Sequence, residues 1–309
     1  MFDQHDAHLL ESASMMKPSA TQPFTTSFPS LRFGWSEENP PKDYAIRLDG
    51  SMVKRTGDSY DPSPALVRRI ADNLAGDVDK PRFALLLDTI KTLGSLRQVR
   101  LFQRTLTHRV FEELIRCFPE TFNPAGNTRI VDLCFVRDGL RSSQFFHYDA
   151  PNIHKYSDRL NIVRELEDPL VSISYGPVSG CAGGIPRLAD HRQAYQDGKY
   201  PCSRIPALIR AESRKLTDTL DNKYIWTLDQ EFSAKDDKDT PILLFNNISG
   251  VGVLHGATPI NRQLPGEFRR DLGTVMVNTC LPQGTKEENA LSLEKIGYEV
   301  LKHEFENPE

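Results

Sequence analysis

The sequence predicts a mainly β fold with flanking helices, an α+β chain whose strands close into a sandwich or barrel. Between residues 128 and 280, short apolar or alternating runs recur, each bounded by Gly, Pro, Asn or Asp. That is the texture of strands joined by turns. Ahead of them, between residues 60 and 120, apolar residues recur at helical spacing instead. At 309 residues the chain is long enough to bury a substantial core.

The elements follow in order. Residues 1–30 are rich in Ser, Thr, Pro and Met without periodicity and read as a mobile arm. The remainder, 31–309, reads as a single domain. In "SPALVRRIADNLAG" (63–76), Leu66, Val67, Ile70 and Leu74 keep helical spacing, Ser63 precedes a first-turn proline and Gly76 ends the run. "RFALLLDTIKTLGSL" (82–96) and "LTHRVFEELIRCF" (106–118) are expected to be helices too, backing a sheet. Strands are expected in "TRIVDLCFVR" (128–137), "QFFHYDA" (144–150), "PLVSISYGPV" (169–178), "PILLFNN" (241–247), "GVGVLHGATPI" (250–260) and "RDLGTVMVNTC" (270–280). A polar, irregular insert over 185–240 is expected to cover one mouth of the barrel. "KEENALSLEKIGYEVLKHEFE" (286–306) reads as a closing amphipathic helix. No internal repeat is visible.

Composition narrows the function classes. A formal net charge of −4 and the lack of a clustered basic stripe give no electrostatic case for nucleic acid. No apolar run approaches the roughly 18–20 residues that span a bilayer. The first residues do not pair a basic stretch with an apolar one, so no secretory signal is expected. Five cysteines, an odd number without a CxxC pair, argue against a zinc ribbon or a disulfide framework. A reducing, cytoplasmic setting is the expectation.

The chemistry-bearing stretch is "FFHYDAPN" (145–152), which places His147 and Asp149 two residues apart in a strand-like run. Side chains at i and i+2 of a strand share a face, roughly 6–7 Å apart. That spacing suits two ligands converging on one metal ion, and equally a polar pair on a solvated face. A facial triad of two histidines and one carboxylate needs a third ligand from another strand, leaving open positions on the metal. His5 and His8 lie in the arm, and His108 and His303 on helices. His154, His191 and His255 remain. His255 is the best placed, because it sits in an apolar strand late in the chain.

Arg270 opens the next strand, fifteen residues after His255. A guanidinium is the natural bidentate partner for a carboxylate held inside a barrel. A 2-oxo acid that chelates a metal through its keto oxygen and near carboxylate leaves a far carboxylate for such a cation. Arg269 reads as its solvated neighbour.

The ordered set "HYD" (147–149), "GG" (183–184), "LHGATPI" (254–260) and "RRDLGTVMV" (269–277) resembles the iron(II)/2-oxoglutarate-dependent dioxygenases. It is most similar to the branch with free-amino-acid hydroxylases such as isoleucine dioxygenase. The resemblance covers about residues 128–280. It implies a double-stranded β-helix core, of the jelly-roll or cupin-like kind. It further implies Fe(II) on His147, Asp149 and His255, with 2-oxoglutarate on Arg270 and O2 as the oxidant. The sequence departs from that branch at Ala150, where glycine is usual, and in the length of the insert. Both departures bear on the substrate side. Asp149 itself argues against the halogenating variant, which lacks the carboxylate.

The expected activity is therefore hydroxylation, desaturation or ring closure of a small molecule, an amino acid or related acid, with release of succinate and CO2. Arg129, Arg137, Arg187 and Arg192 are the candidate partners for a substrate carboxylate. Two other classes compete. One is a cupin-like metal-dependent isomerase or hydrolase, in which the same ligands hold Zn²⁺ and activate water. The other is a jelly-roll binding module without chemistry. Arg270 speaks against the first and the intact ligand set against the second.

Overall fold

The computed structural model describes residues 44–76, 82–124, 126, 129–138, 146–147, 169–179, 182–184, 186–189, 225–227, 240–248, 251–258, 260–261 and 269–280. The expected N-terminal arm, most of the insert and the C-terminal helix lie outside them. The chain begins with β1 (Ala45–Arg47) and a hairpin of β2 (Val53–Thr56) and β3 (Ser59–Pro62). Then come α1 (Pro64–Ala75), β4 (Phe83–Leu87), α2 (Thr89–Leu93), α3 (Leu96–Cys117) and α4 (Pro119–Phe122). The later strands are β5 (Arg129–Asp138), β6 (Leu170–Ser179), β7 (Ala182–Gly183), β8 (Pro186–Ala189), β9 (Ile225–Thr227) and β10 (Ile242–Asn246). β11 (Leu254–Ala257), β12 (Ile260–Asn261) and β13 (Arg269–Cys280) complete the set.

α1 starts where the sequence predicts. Ser63 is extended and its Oγ accepts the Leu66 N–H at 3.2 Å, while Pro64 occupies the first turn without needing a donor. Gly76, at φ 32°, ends it by donating to the Asp72 carbonyl. α3 is longer than 106–118, because Ser95 caps it eleven residues earlier by accepting the Gln98 N–H. Its buried stripe runs through Val99, Phe102, Leu106, Val110, Phe111 and Leu114.

The helix expected over 82–96 is corrected. Phe83–Leu87 is a strand with every residue buried, and only Thr89–Leu93 is helical, closed by Gly94 at φ 94°. An unbroken apolar run of five fits a strand covered on both faces as well as a buried helical turn, and periodicity does not separate them.

β4 lies inside a six-stranded sheet of order β1-β4-β10-β6-β13-β5, parallel at β1–β4 and antiparallel elsewhere. Alternation sends the two faces of this sheet into two cores. Ala84, Leu86, Leu170, Ile242, Leu244 and Val277 pack with the apolar stripes of α1 and α3. Phe83, Leu85, Leu87, Val171, Leu243, Phe245 and Met276 face the other way, toward Leu188 of β8 and Trp226 of β9. Those two strands belong to a smaller sheet of order β11-β8-β9. The arrangement is therefore layered, helices on a large mixed sheet and a small sheet on its far side, an α+β fold.

β8 and β9 fall within the segment read as an irregular insert, which thus supplies two strands of the small sheet. The chain passes repeatedly between the sheets. β5, β6, β10 and β13 belong to the large one, and residue 147, β8, β9 and β11 to the small one. No helix among the described residues is long and apolar enough to cross a membrane.

Candidate metal centre

The site is built where the chain leaves β10 for β11. Asn246, fully buried, organises that crossing. Its Nδ2 donates to the Leu74 carbonyl at 3.2 Å, tying the crossing to the end of α1, and its Oδ1 accepts the Ile248 N–H at 3.0 Å. The Asn246 carbonyl accepts the Val253 N–H at 2.9 Å. Gly252 packs so closely on that carbonyl that a Cβ there would collide with backbone, so no other residue fits without moving the turn. Val253, fully buried, then anchors the start of β11 between the sheets.

Two residues on stands His255. It pairs with Leu188 of β8 on one side and with His147 on the other. His147 and His255 exchange both backbone hydrogen bonds, each at 2.9 Å. Directly opposed residues of an antiparallel pair present their side chains on one face. That face is the inner one, because Leu188 belongs to the core between the sheets and the Phe245 ring lies 4.8 Å from the His255 ring. The two imidazole centroids are 4.1 Å apart, tilted by 45°, and both rings are half-buried.

This geometry fits a shared metal ion. With metal–nitrogen bonds of about 2.1 Å, two imidazoles at right angles around one ion have their ring centres about 4.6 Å apart, and the observed pair stands slightly inside that separation. Among the described residues no group of three metal-ligating side chains occurs, and Asp149, the expected third ligand, is not one of them. His154, His191 and Arg192 also lie outside the described residues. His108 is on α3, with Nδ1 3.5 Å from Glu112, and takes no part.

The opposing wall belongs to the large sheet. Ile173 and Tyr175 of β6 and Leu272 and Thr274 of β13 are half-buried on the inner face, paired as Ile173–Thr274 and Tyr175–Leu272. Deeper in, Val171, Met276 and Phe245 close the space. Arg270 pairs with Val178 across a register shift, and position 270 has the alternation parity of Leu272, Thr274 and Met276. Arg269 has the opposite parity. Position 137 pairs with Leu272, and Arg129 lies at the far end of β5, opposite Cys280.

Arg187 is placed differently from its expected role. It neighbours Leu188, so it points to the outer face of the small sheet, away from the histidines. There its guanidinium lies 4.7 Å from the centroid of the buried Phe146 ring, and burial pushes its pKa below the usual value. This contact was not legible in the sequence, where its one signal was Gly256, a residue without a side chain beside His255.

No protein-family model and no curated protein matches the chain. Among solved structures, the chain is similar to the iron and alpha-ketoglutarate-dependent endoperoxidase NvfI in a different conformation, with 12% identity and a TM-score of 0.32 over 67% of this chain and 79% of that one. A single-substitution variant of the same endoperoxidase gives 12% identity and a TM-score of 0.32 over 68% and 79%.

Proposed function

We propose that this chain is a non-haem Fe(II)/2-oxoglutarate-dependent oxygenase acting on a small molecule. The observation that carries the proposal is the His147–His255 pair, two imidazoles opposed across strands on the inner face of the small sheet. Asp149 follows His147 by two positions and is the carboxylate of the set. The passage of the chain back and forth between two sheets supports a jelly-roll arrangement.

Bound iron supplies the activation of O2 that couples decarboxylation of 2-oxoglutarate to oxidation of a substrate C–H bond, giving succinate and CO2. The protein's own residues do the rest. His147 and His255 act as neutral nitrogen donors held in register by two backbone hydrogen bonds. Arg270 holds the far carboxylate of the cosubstrate. Val171, Met276, Phe245 and Val253 exclude water behind the site. The half-buried Ile173, Tyr175, Leu272 and Thr274 leave room for the bound molecules.

The test is an anaerobic titration of 2-oxoglutarate into iron-loaded protein, followed by its charge-transfer absorption. Wild type develops the band, and Arg270→Leu retains iron but binds the cosubstrate roughly a hundredfold to several thousandfold more weakly. That loss corresponds to removing one partner of a buried charge pair, about 3–5 kcal/mol. Arg269→Leu binds as wild type does. Equal affinity of wild type and Arg270→Leu removes Arg270 from the site, and a loss in Arg269→Leu alone shifts the register by one.

A further inference from the structure

We infer that Arg187 is a positioning residue for the proposed metal site, reaching across Gly256 to clamp Phe146 and thereby fixing the backbone at His147. The inference rests on the metal-site reading above. The register sets out two rows across the small sheet. Leu188, His255 and His147 form the inner row. One position along, Arg187 pairs with Gly256, and the same antiparallel register brings Gly256 opposite Phe146.

In this second row the middle position has no side chain. Cross-strand side-chain pairs are what hold neighbouring strands together, and Gly256 offers Phe146 none. Arg187, from the strand beyond, takes its place, with its guanidinium 4.7 Å from the ring centroid and the ring 1% exposed. A planar guanidinium over an aromatic face is an oriented contact, and it strengthens when water is excluded. Phe146 is bonded to His147, so the clamp acts one residue from the imidazole. Among the described residues, the His147–His255 pair is the one backbone bridge that ties this strand to β11. A contact from β8 on the next residue supplies a second point of attachment, and two points fix a direction where one leaves a pivot.

The experiment compares metal binding by wild type, Arg187→Met, Arg187→Lys, Phe146→Leu and Phe146→Tyr. Fe(II) is titrated anaerobically, and the visible ligand-field bands of Co(II)-loaded protein report ligand geometry. Partners that orient a metal-bound histidine are worth about 10–100-fold in metal affinity. Arg187→Met and Phe146→Leu are expected near the low end, about tenfold weaker, with altered Co(II) bands. Phe146→Tyr, which keeps the ring, binds as wild type does, and Arg187→Lys falls between. A purely structural contact would lower the melting temperature and leave affinity and bands of the folded protein unchanged, and that result overturns the inference. If Arg187→Met does not fold, Arg187→Lys and Phe146→Leu decide by the same criterion. Failure of the wild-type protein to bind Fe(II) overturns the oxygenase reading and this inference with it; wild-type binding with undiminished affinity in the variants overturns the inference alone.

Discussion

The two faces of the large sheet are finished in opposite ways. On β6, Ser172 and Ser174 point to the helices and are buried, while their neighbours Ile173 and Tyr175 point to the small sheet and stay half-buried. β13 repeats the pattern, with Gly273, Val275 and Val277 buried on the helical side and Leu272 and Thr274 half-buried on the other. On β6 the polar side chains are thus the sealed ones. They are sealed because each finds a partner. Gln103 donates to Ser172 at 3.1 Å and to the Gly273 carbonyl at 3.0 Å, and Thr107 lies 2.7 Å from the Ser172 hydroxyl. A buried polar group that keeps its hydrogen bonds is tolerated. The side chains left partly open opposite the two imidazoles are where the proposed site would take its ligand. One face is closed by packing and hydrogen bonds, and the other holds the candidate site.

That division can be broken from either side. The largest effect is expected on the open face. On the proposed site, His255→Ala or His147→Ala should reduce bound Fe(II) from one per chain to none after dialysis, because each removes one of its three proposed ligands. The half-buried positions predict little change in melting temperature. Metal analysis and a thermal melt on the same sample check both halves, and retained iron would end the assignment.

On the closed face the signs reverse. Phe102→Ala empties a fully buried site between α3 and the sheet and should cost about 3–5 kcal/mol in urea unfolding. Metal affinity of the folded fraction should stay as in wild type. A smaller loss, about 1–3 kcal/mol, is expected for Gln103→Leu. It keeps the volume but deprives the Gly273 carbonyl and Ser172 of a buried donor.

These contrasts also show what was legible in the sequence. The strands rich in β-branched residues, "TRIVDLCFVR" and "RDLGTVMVN", could be located from composition alone, because a half-buried strand alternates. β4 could not, since a strand between two cores does not alternate in polarity. β8 and β9 were hidden in a polar segment because they are only four and three residues long. The histidines could be singled out by type and by strand setting. Their direct opposition could not, nor could the row Arg187–Gly256–Phe146. Both depend on register between distant strands, which local pattern does not encode.

The smallest effect belongs to the solvent side of the helical layer, which tests whether either face extends its influence there. The Arg116 guanidinium, with Arg68 adding to it, holds the Glu113 carboxyl down to about 2 from an ordinary 4.5. A carboxyl depressed on folding contributes stability above its unfolded value, and that contribution is lost as pH falls through the folded one. The window is therefore about pH 4.5 down to about 2. Its arginine partners are largely exposed, so the change in stability should be slight. A carbon NMR titration of Glu113 should find its midpoint near 2, moving up toward 4.5 in Arg116→Ala.

On the proposed metal site, the opposition of His147 and His255 also constrains when during synthesis iron could be acquired. The two residues stand more than a hundred positions apart, yet they meet as immediate neighbours in one small sheet. Closing so long a loop is among the slower steps available to a chain, because its entropy is lost before the contacts form. A nascent chain that has emerged only as far as β10 holds one of the two imidazoles and has no place for the ion. Loading must wait for β11 to leave the ribosome and dock. Metal uptake is then a timer for late assembly, and a pulse of iron given during refolding should be captured only after the distant strands have paired.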